Sequence, residues 1–275
     1  MTLHRWMMLC VTATVVGCTS NEGGTTSPNP PTGAFRYVNA VPDTGPMDYR
    51  PVDRVEDSPF FLGAAFRAFA PYQAMGVGSR HVRVFMNSID PAIASIVMFD
   101  TTFTVDTDVY YTFLHYGFTR TGQTPAAAVL ITTDAVPTPA SGQVALRLIH
   151  AAAGIGNVDV FVRPKSAGMP ATPTYTSVPF LGITTYTAFA AAGATETTAI
   201  WVTATGTTTP ILAAVDAPTG TPGTSTKEPV PGTRVAGTVY SAIFVAPSVA
   251  GSKAPPTFTT PSVIFPIDRR PPPTY

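Results

Sequence analysis

The sequence predicts an all-β protein with two tandem, Ig-like antiparallel β-sandwich domains. Three observations support this prediction: short runs rich in Val, Ile, Phe, Tyr and Thr; clusters of Pro, Gly, Asp and Asn between those runs; and an internal repeat. No segment longer than about ten residues keeps a 3.6-residue apolar period without interruption, so a helix of ordinary length is not expected.

The strand-like segments are distributed along the chain from Phe35 onward. The predicted strands are Phe35–Ala40, His81–Met86, Ser95–Phe99, Val109–Tyr116, Ala127–Thr132, Val144–Ala151, Val158–Val162, Thr198–Thr203, Ile211–Val215, Val239–Val245 and Val263–Ile267. The alanine-rich segment 187–192 is ambiguous. Because it is short and ends at Gly193, we interpret it as a strand edge or a turn.

An arginine-bearing strand opens each copy of the repeat. Arg36 aligns with Arg147 when the sequences of the two copies are compared. An aspartate, Asp48 or Asp159, follows 12 residues after each arginine. Three later landmarks recur in the same order. They are Phe61-Leu62-Gly63 with Phe180-Leu181-Gly182, Tyr72 with Tyr186, and Val109–Thr112 with Val239–Ala242.

The repeat and the changes in composition define the expected organisation. We predict a signal peptide (1–17), a disordered tether (18–33), a first sandwich (34–136), a proline-rich linker (137–143), a second sandwich (144–268) and a proline-rich tail (269–275). Small polar residues, Gly and Pro cannot build a core, which is why the tether is expected to be disordered.

The segment from Asn39 through Pro42-Asp43 to Asp48 resembles the opening of a bacterial family, the domain of unknown function DUF4397. The second copy keeps the His150-Ala151 start and has lost the Pro-Asp turn. The resemblance covers roughly residues 35–245. It implies an Ig-like sandwich in an exported bacterial protein, often a lipoprotein and often in tandem, and it implies no established activity.

The first eighteen residues have the layout of a bacterial lipoprotein signal. A basic Arg5 precedes the apolar run Trp6–Val16, which is too short to span a bilayer, since a spanning helix needs ~20 residues. Small residues and Cys18 follow, so we expect Cys18 to carry a lipid that anchors the protein to a membrane. Thr19, where aspartate would imply inner-membrane retention, favours the outer membrane in a Gram-negative cell. The alternative is an ordinary secretory signal with a chance cysteine.

Composition narrows the possible partners. Only 12% of residues are charged and the formal net charge is zero, so no field attracts nucleic acid. The two cysteines are Cys10, inside the predicted signal, and Cys18, so no disulfide is expected in the mature chain. Stability therefore has to come from packed cores.

Two sets of charged residues are candidate sites. Arg36–Asp48 and Arg147–Asp159 could form ion pairs across the sheet, which we interpret as fixing turn geometry or strand register. The alternative is a pair of charges that faces a ligand.

The second set lies in the loop after the first strand. Asp43, Asp48 and Asp53, with Glu56 and Asp57 nearby, are weak candidates for Ca²⁺ ligands. No Asp-x-Asp-x-Asp-Gly loop is present, so a solvated polar loop is the favoured interpretation, and no metal or cofactor is expected.

Histidines and aromatic residues offer weaker signals. His81, His115 and His150 are too scattered to predict a metal site, and His150 replaces Asn39 in the repeat, which favours a hydrogen bond within a turn. The aromatic residues of segment 60–72 could cover the core, form an exposed partner site, or stack on sugar rings. These aromatic residues are Phe60, Phe61, Phe66, Phe69 and Tyr72.

The motifs that mark common enzyme classes are absent from the sequence. We therefore predict a non-catalytic binding or structural module of the cell envelope, with an envelope protein or a glycan as partner. One alternative is an envelope hydrolase or carbohydrate-active enzyme that uses carboxylates on the 42–57 loop. Another is a scaffold within a larger surface complex.

Overall fold

The computed structural model describes residues 30–53 and 61–273. Cys18, the predicted signal and most of the predicted tether lie outside these residues, as do Glu56, Asp57 and Phe60. Residues Pro31–Tyr275 form one compact unit, and it contains every element described below.

The first half of this unit contains two four-stranded sheets. Its strands are β1 (Thr32–Asn39), β2 (Met47–Pro51), β3 (Phe61–Ala64), β4 (Gln73–Gly76), β5 (Gly78–Met86), β6 (Val97–Val105), β7 (Tyr110–Tyr116) and β8 (Ala128–Thr133). One sheet has the order β4-β1-β7-β8 and the other has the order β3-β2-β5-β6. A short helix, α1 (Pro91–Ala94), connects β5 to β6, and the Asp90 side chain caps its first turn.

The second half repeats the same arrangement. Its strands are β9 (Gln143–His150), β10 (Val158–Pro164), β11 (Tyr175–Val178), β12 (Thr187–Ala190), β13 (Thr198–Ala204), β14 (Ile211–Asp216), β15 (Val239–Val245), β16 (Ser262–Ile264) and β17 (Ile267–Arg269). The sheet orders are β12-β9-β15-β16, with β17 also on β15, and β11-β10-β13-β14. A 3₁₀ turn at Lys165–Ala167 follows β10.

The predicted all-β, sandwich-like fold is confirmed. In the described residues the only helical elements are α1 and the 3₁₀ turn. The ambiguous segment at 187–192 contributes β12, a strand at the edge of its sheet. One feature departs from a purely antiparallel sandwich: β1 pairs in parallel with β7, and β9 in parallel with β15. These parallel pairs put the first and late strands of each half side by side.

Strand β1 is buried on both faces because its side chains alternate between two cores. Phe35 and Tyr37 pack into a core within the first half, and Val38 packs into a small core shared with the second half. Strand β9 follows the same pattern, with Leu148 in the core of its own half and Ile149 in the shared core. The inner sheets of the two halves therefore face each other at a junction.

The structure corrects two alignments of the repeat. Backbone pairing places Arg36 opposite Thr112 and Arg147 opposite Ser241, so Thr112 corresponds to Ser241. The sequence alignment had matched Thr112 with Ala242. It was wrong by one residue because a strand that is apolar on both faces gives no period-2 signal to fix its register.

The second correction concerns the Phe-Leu-Gly landmark. The Arg67 N–H donates to the carbonyl of Asn39, and the Leu181 N–H donates in the same way to the carbonyl of His150. Both donors have a positive φ, 70° and 63°. The segment equivalent to 180–182 is therefore 66–68, and not 61–63.

We expect the shared core to be required for the stability of the chain. Ile243 is fully buried there, so Ile243→Ala should lower the free energy of unfolding by about 2–5 kcal/mol through lost burial and the cavity left behind. Urea denaturation measures this change. Ile211→Ala is the matched control, because Ile211 is 46% exposed and its loss should cost under about 0.5 kcal/mol. Equal losses in the two variants would contradict a shared core at this position.

Candidate functional site

A buried charge cluster lies at the junction, beside the shared apolar core. We define the charge cluster by four pairs of equivalent residues, one from each half. They are Arg36 with Arg147, Thr112 with Ser241, Tyr72 with Tyr186, and Asp134 with Asp268. Alternation along β1 and β9 sends both arginine side chains away from the cores of their own halves and into the junction.

Each arginine contacts a hydroxyl of its own half and a carboxylate of the other half. Arg36 Nε donates to Thr112 Oγ1 at 2.9 Å, and Arg36 Nη1 lies 2.5 Å from Asp268 Oδ1. Arg147 Nε donates to Ser241 Oγ at 2.9 Å, and its Nη2 donates to Asp134 Oδ1 at 2.6 Å. The two halves thus exchange carboxylates.

Hydroxyl groups complete the coordination of both carboxylates. Tyr72 donates to Asp134 at 2.5 Å and Tyr186 donates to Asp268 at 2.7 Å. Ser241 also donates to Asp268 Oδ2 at 2.8 Å, and Thr112 donates to Asp134 Oδ2. The tyrosine rings also lie against the guanidinium groups, with Arg36 Cζ 4.5 Å from the centre of the Tyr72 ring.

The cluster keeps both arginines charged. Burial by itself would lower the pKa of Arg36, but the carboxylates of Asp268 and Asp134 outweigh that effect, so the pKa is raised above its ordinary value. The same two carboxylates raise the pKa of Arg147 against its burial. Two positive and two negative charges therefore compensate one another inside the junction.

The predicted ion pairs Arg36–Asp48 and Arg147–Asp159 are wrong. The reason is topological. β1 and β2 lie in different sheets, as do β9 and β10, so the arginine and the aspartate of each predicted pair are not on neighbouring strands. Asp48 instead forms an ion pair with Arg50, with 2.7 Å between Arg50 Nη2 and Asp48 Oδ2.

The two aspartates have an equivalent structural role in their own halves. Asp48 accepts the Gly63 N–H at 2.8 Å, and Asp159 accepts the Ser177 N–H at 2.7 Å. Both donors have a positive φ. The carboxylates therefore fix the irregular backbone of the neighbouring edge strands, β3 and β11. Arg36 and Arg147 take no part in this role.

The equivalence of Asn39 and His150 has the predicted explanation. The Asn39 side-chain oxygen accepts the N–H of Val41 at 3.0 Å, and His150 Nδ1 accepts the N–H of Ala152 at 3.2 Å. The proton of His150 is then on Nε2, which donates to the Gly156 carbonyl at 2.9 Å. Both residues fix the turn that leaves the first strand of a half.

The carboxylates considered as metal ligands are directed to separate partners. Asp43 accepts from the backbone N–H groups of Thr119 and Arg120, both at 2.9 Å. Asp53 accepts the His81 N–H at 3.0 Å, and Asp48 has the partners given above. Within residues 30–53 and 61–273, no group of three His, Cys, Asp or Glu converges on a point that could hold a metal ion.

A groove runs over the charge cluster along one side of the junction. Its central depression has a volume of about 620 Å³, and its lining includes Tyr72, Asp268 and Arg270. A second depression of about 410 Å³ shares Arg269 and Arg270 with the first, and a third of about 280 Å³ shares Tyr72 and Tyr110. We call these three adjoining depressions the junction groove.

Aromatic side chains line one part of the junction groove and cationic side chains line another. Phe69 is 44% exposed and Tyr110 is 40% exposed, and the Tyr110 ring packs edge-on against the ring of Tyr72 at 5.0 Å between centroids. Arg269 and Arg270 are exposed at the other side of the central depression. The remaining described aromatics of segment 60–72, Phe61 and Phe66, are buried, as the core interpretation predicts.

Sequence reasoning missed the two aspartates that complete the charge cluster. Asp134 follows the last strand of the first half, and Asp268 lies in β17 at the end of the second half. One signal was present: each half ends with an aspartate after its last long strand. The exchange itself has no sequence signal, because it depends on how the two halves face each other.

Comparison with known proteins matches part of the chain to a family model. Residues 33–161 match the model of the domain of unknown function DUF4397, which confirms the resemblance for this segment. No curated protein matches the chain. One similar solved structure is a family CBM26 module from Eubacterium rectale Amy13K in complex with maltoheptaose. It has 8% identity and a TM-score of 0.24 over 88% of this chain and 98% of that chain. A similarity this distant carries no argument about function.

Among the residues that the structure describes, no helix has the length and apolar character needed to cross a membrane.

We expect Arg36 to be energetically coupled to Asp268 and not to Asp48. Arg36→Ala should destabilise the chain by about 3–5 kcal/mol, because it leaves a buried carboxylate without its partner. In a double-mutant cycle measured by urea denaturation, Arg36→Ala and Asp268→Ala should be strongly non-additive. The matched cycle with Asp48→Ala should be additive within about 0.5 kcal/mol. Coupling to Asp48 alone would contradict the exchange of carboxylates.

His115 should make the stability of the chain depend on pH. Burial lowers its pKa to about 4, and its Nδ1 lies 2.9 Å from the Tyr49 hydroxyl. An unfolded histidine has a pKa of about 6.5, so between pH 6.5 and 4 the unfolded state binds more protons. The free energy of unfolding should therefore fall by about 3 kcal/mol as the pH is lowered through this window.

A paired variant isolates the contribution of His115. Phe244 occupies the equivalent position in the second half, so His115→Phe combined with Tyr49→Phe removes both polar partners together. Urea denaturation at pH 7 and pH 4 should show a pH dependence about 3 kcal/mol smaller than in the wild type. An unchanged pH dependence would contradict a buried neutral His115.

Proposed function

We propose that this protein is an exported lipoprotein, held to the cell envelope through a lipid on Cys18, and that it acts as a non-catalytic binding module. Its recognition site is the junction groove. The observation that carries this proposal is the combination of half-exposed aromatic rings and exposed arginines along a groove with a rigid, charge-compensated floor.

The floor of the groove supports a binding role because it is preorganised. Tyr72 is held by Asp134 and by the guanidinium of Arg36, so its ring does not have to be ordered when a ligand binds. Preorganised side chains reduce the entropic cost of association. The two halves jointly build this floor, which also explains why a recognition site lies at the junction.

The carboxylates of the 42–57 loop that the structure describes favour binding over catalysis. Asp43, Asp48 and Asp53 each accept hydrogen bonds from backbone N–H groups of the protein. A general acid or base needs a carboxyl that can reach the proton it transfers, and these carboxylates are engaged in holding loops. We therefore propose a recognition site in this protein and not a catalytic site.

The proposed attachment to the cell envelope rests on the sequence around Cys18. Three small or β-branched residues, Val15, Val16 and Gly17, precede the cysteine after a short apolar run, as in lipoprotein signals. A cysteine with two or three acyl chains would remain stably attached to a membrane. The predicted tether would let the folded unit reach an envelope glycan or protein up to about 50 Å away.

Metabolic labelling with an alkyne fatty acid tests the anchor. We expect the wild-type chain to be labelled and to fractionate with membranes, whereas Cys18→Ala should lose the label because it removes the acylated thiol. Cys10→Ala is the matched control and should still be labelled, since Cys10 lies inside the predicted signal. Label that persists in Cys18→Ala, or a soluble wild type, would contradict the lipoprotein proposal. Protease treatment of intact cells would then distinguish a surface location from a periplasmic one.

A further inference from the structure

We infer that the junction groove binds a carboxylated polysaccharide, with sugar rings on the aromatic side and carboxylates on the two arginines. This inference rests on the proposed binding function and assigns a ligand class to it. Three features of the groove carry the argument: its succession of depressions, the distribution of charge along it, and the aromatic rings that line it.

The succession of depressions in the groove fits a polymer. The three depressions follow one another, joined first by Tyr72 and Tyr110 and then by Arg269 and Arg270. A compact small-molecule site would bury its ligand in one enclosed cavity. A succession of open depressions, each with a volume of about 280 to 620 Å³, instead accommodates successive units of a chain.

Charge along the groove selects an anion at one end. The buried cluster below is neutral as a whole, since Arg36 and Arg147 balance Asp134 and Asp268. Neither Arg269 nor Arg270 forms an ion pair with any residue in the described part of the chain.

These two arginines therefore supply the net positive charge of the groove. Arg269 Nη1 donates to the Thr138 hydroxyl at 2.9 Å, which positions this side chain beside the second depression. An exposed carboxylate, Asp108, lines the third depression at the opposite end. Guanidinium groups bind carboxylates through charge-assisted and often bidentate hydrogen bonds, so the ligand carboxylates belong at the arginine end.

Aromatic rings at the centre of the groove fit a sugar. Phe69 and Tyr110 expose part of their rings to the central depression, and their apolar surface would cover the C–H face of a pyranose ring. The polar edges of such a ring remain in the open groove, where water can hydrate them. A flat apolar face with polar edges is a property of pyranose units.

Two backbone groups that line the groove are already paired within the protein. Peptides can bind by adding hydrogen bonds to a free strand edge, which requires unpaired backbone groups. Here the Tyr110 carbonyl accepts the Asp134 N–H at 2.8 Å, and the Gly237 N–H donates to the Gln143 carbonyl at 2.8 Å. Because these two groups are already paired, recognition beside Tyr110 and Gly237 falls to the side chains, which are the groups that a polysaccharide would contact.

Binding of oligogalacturonate to the purified full chain in detergent tests this inference. We expect calorimetry to show binding that weakens with added salt, and at least roughly tenfold weaker binding of the methyl-esterified oligomer, which keeps the rings and loses the carboxylates. Arg269→Ala combined with Arg270→Ala should weaken binding of the acid at least tenfold and leave binding of the ester unchanged. Phe69→Ala combined with Tyr110→Ala should weaken both ligands.

Matched controls lie on the surface away from the groove. Arg163→Ala removes an exposed cation and Val230→Ser removes an exposed apolar side chain, and neither residue lines a depression of the junction groove, so neither change should alter binding. Oligomannuronate provides a second carboxylated probe, and oligoglutamate tests an acidic peptide.

The outcomes separate the inference from the proposed function. Equal binding of the acid and the ester would overturn the carboxylate assignment and leave a sugar-binding module in place. Binding of oligoglutamate without either uronate would overturn the ligand class while the groove remained the site. Binding that survives every groove substitution would overturn the site itself. If neither uronate binds, the inference is wrong, whereas the anchor on Cys18 stands or falls by its own labelling experiment.

Discussion

The exchange of carboxylates across the junction is the interaction on which the rest of this structure depends. Arg36 and Arg147 are too deeply buried to keep a charge without partners, and each finds its closest carboxylate in the other half. Removing either half would therefore leave an arginine and an aspartate without these partners, and it would expose the apolar residues of the shared core to water. The single compact unit formed by residues Pro31–Tyr275 follows from this dependence and from the apolar core beside it.

Much of the fold was accessible from the sequence, because local composition and turn residues specify strands. Most long strands, the absence of ordinary helices and the opening of each repeat were predictable from β-branched and aromatic runs, but β6 (Val97–Val105) was predicted only as far as Phe99. Register was not. Strand β7 is buried over most of its length, so the alternation that normally distinguishes the two faces of a strand is missing, and Thr112 was aligned one residue away from its true equivalent. Short edge strands such as β3 and β11 also escaped prediction.

The candidate site was less accessible than the fold. The arginines were identified correctly, but the carboxylates assigned to them were wrong. Residues that are close in sequence are separated when the chain crosses from one sheet to the other. Asp134 and Asp268 come from the last segments of their halves. Asp268 is far along the chain from Arg36, whereas Asp134 precedes Arg147 by only 13 residues, across the boundary between the halves. The central depression above them is lined by four separate segments, and no local sequence pattern indicates that Tyr110 and Arg269 line the same depression.

The symmetry of the charge cluster has a consequence for how such a chain could arise. Equivalent residues of the two halves make the same contacts in both directions, which is the arrangement of an isologous dimer interface. A single-copy ancestor would bury its arginine only by pairing with a second copy of itself, and its stability would depend on its concentration. Gene duplication and fusion would remove that dependence, because a covalent connection holds the two copies at an effective concentration of roughly millimolar. Fusion would also free each half to diverge, so that one groove of such a dimer could acquire the arginines of the tail.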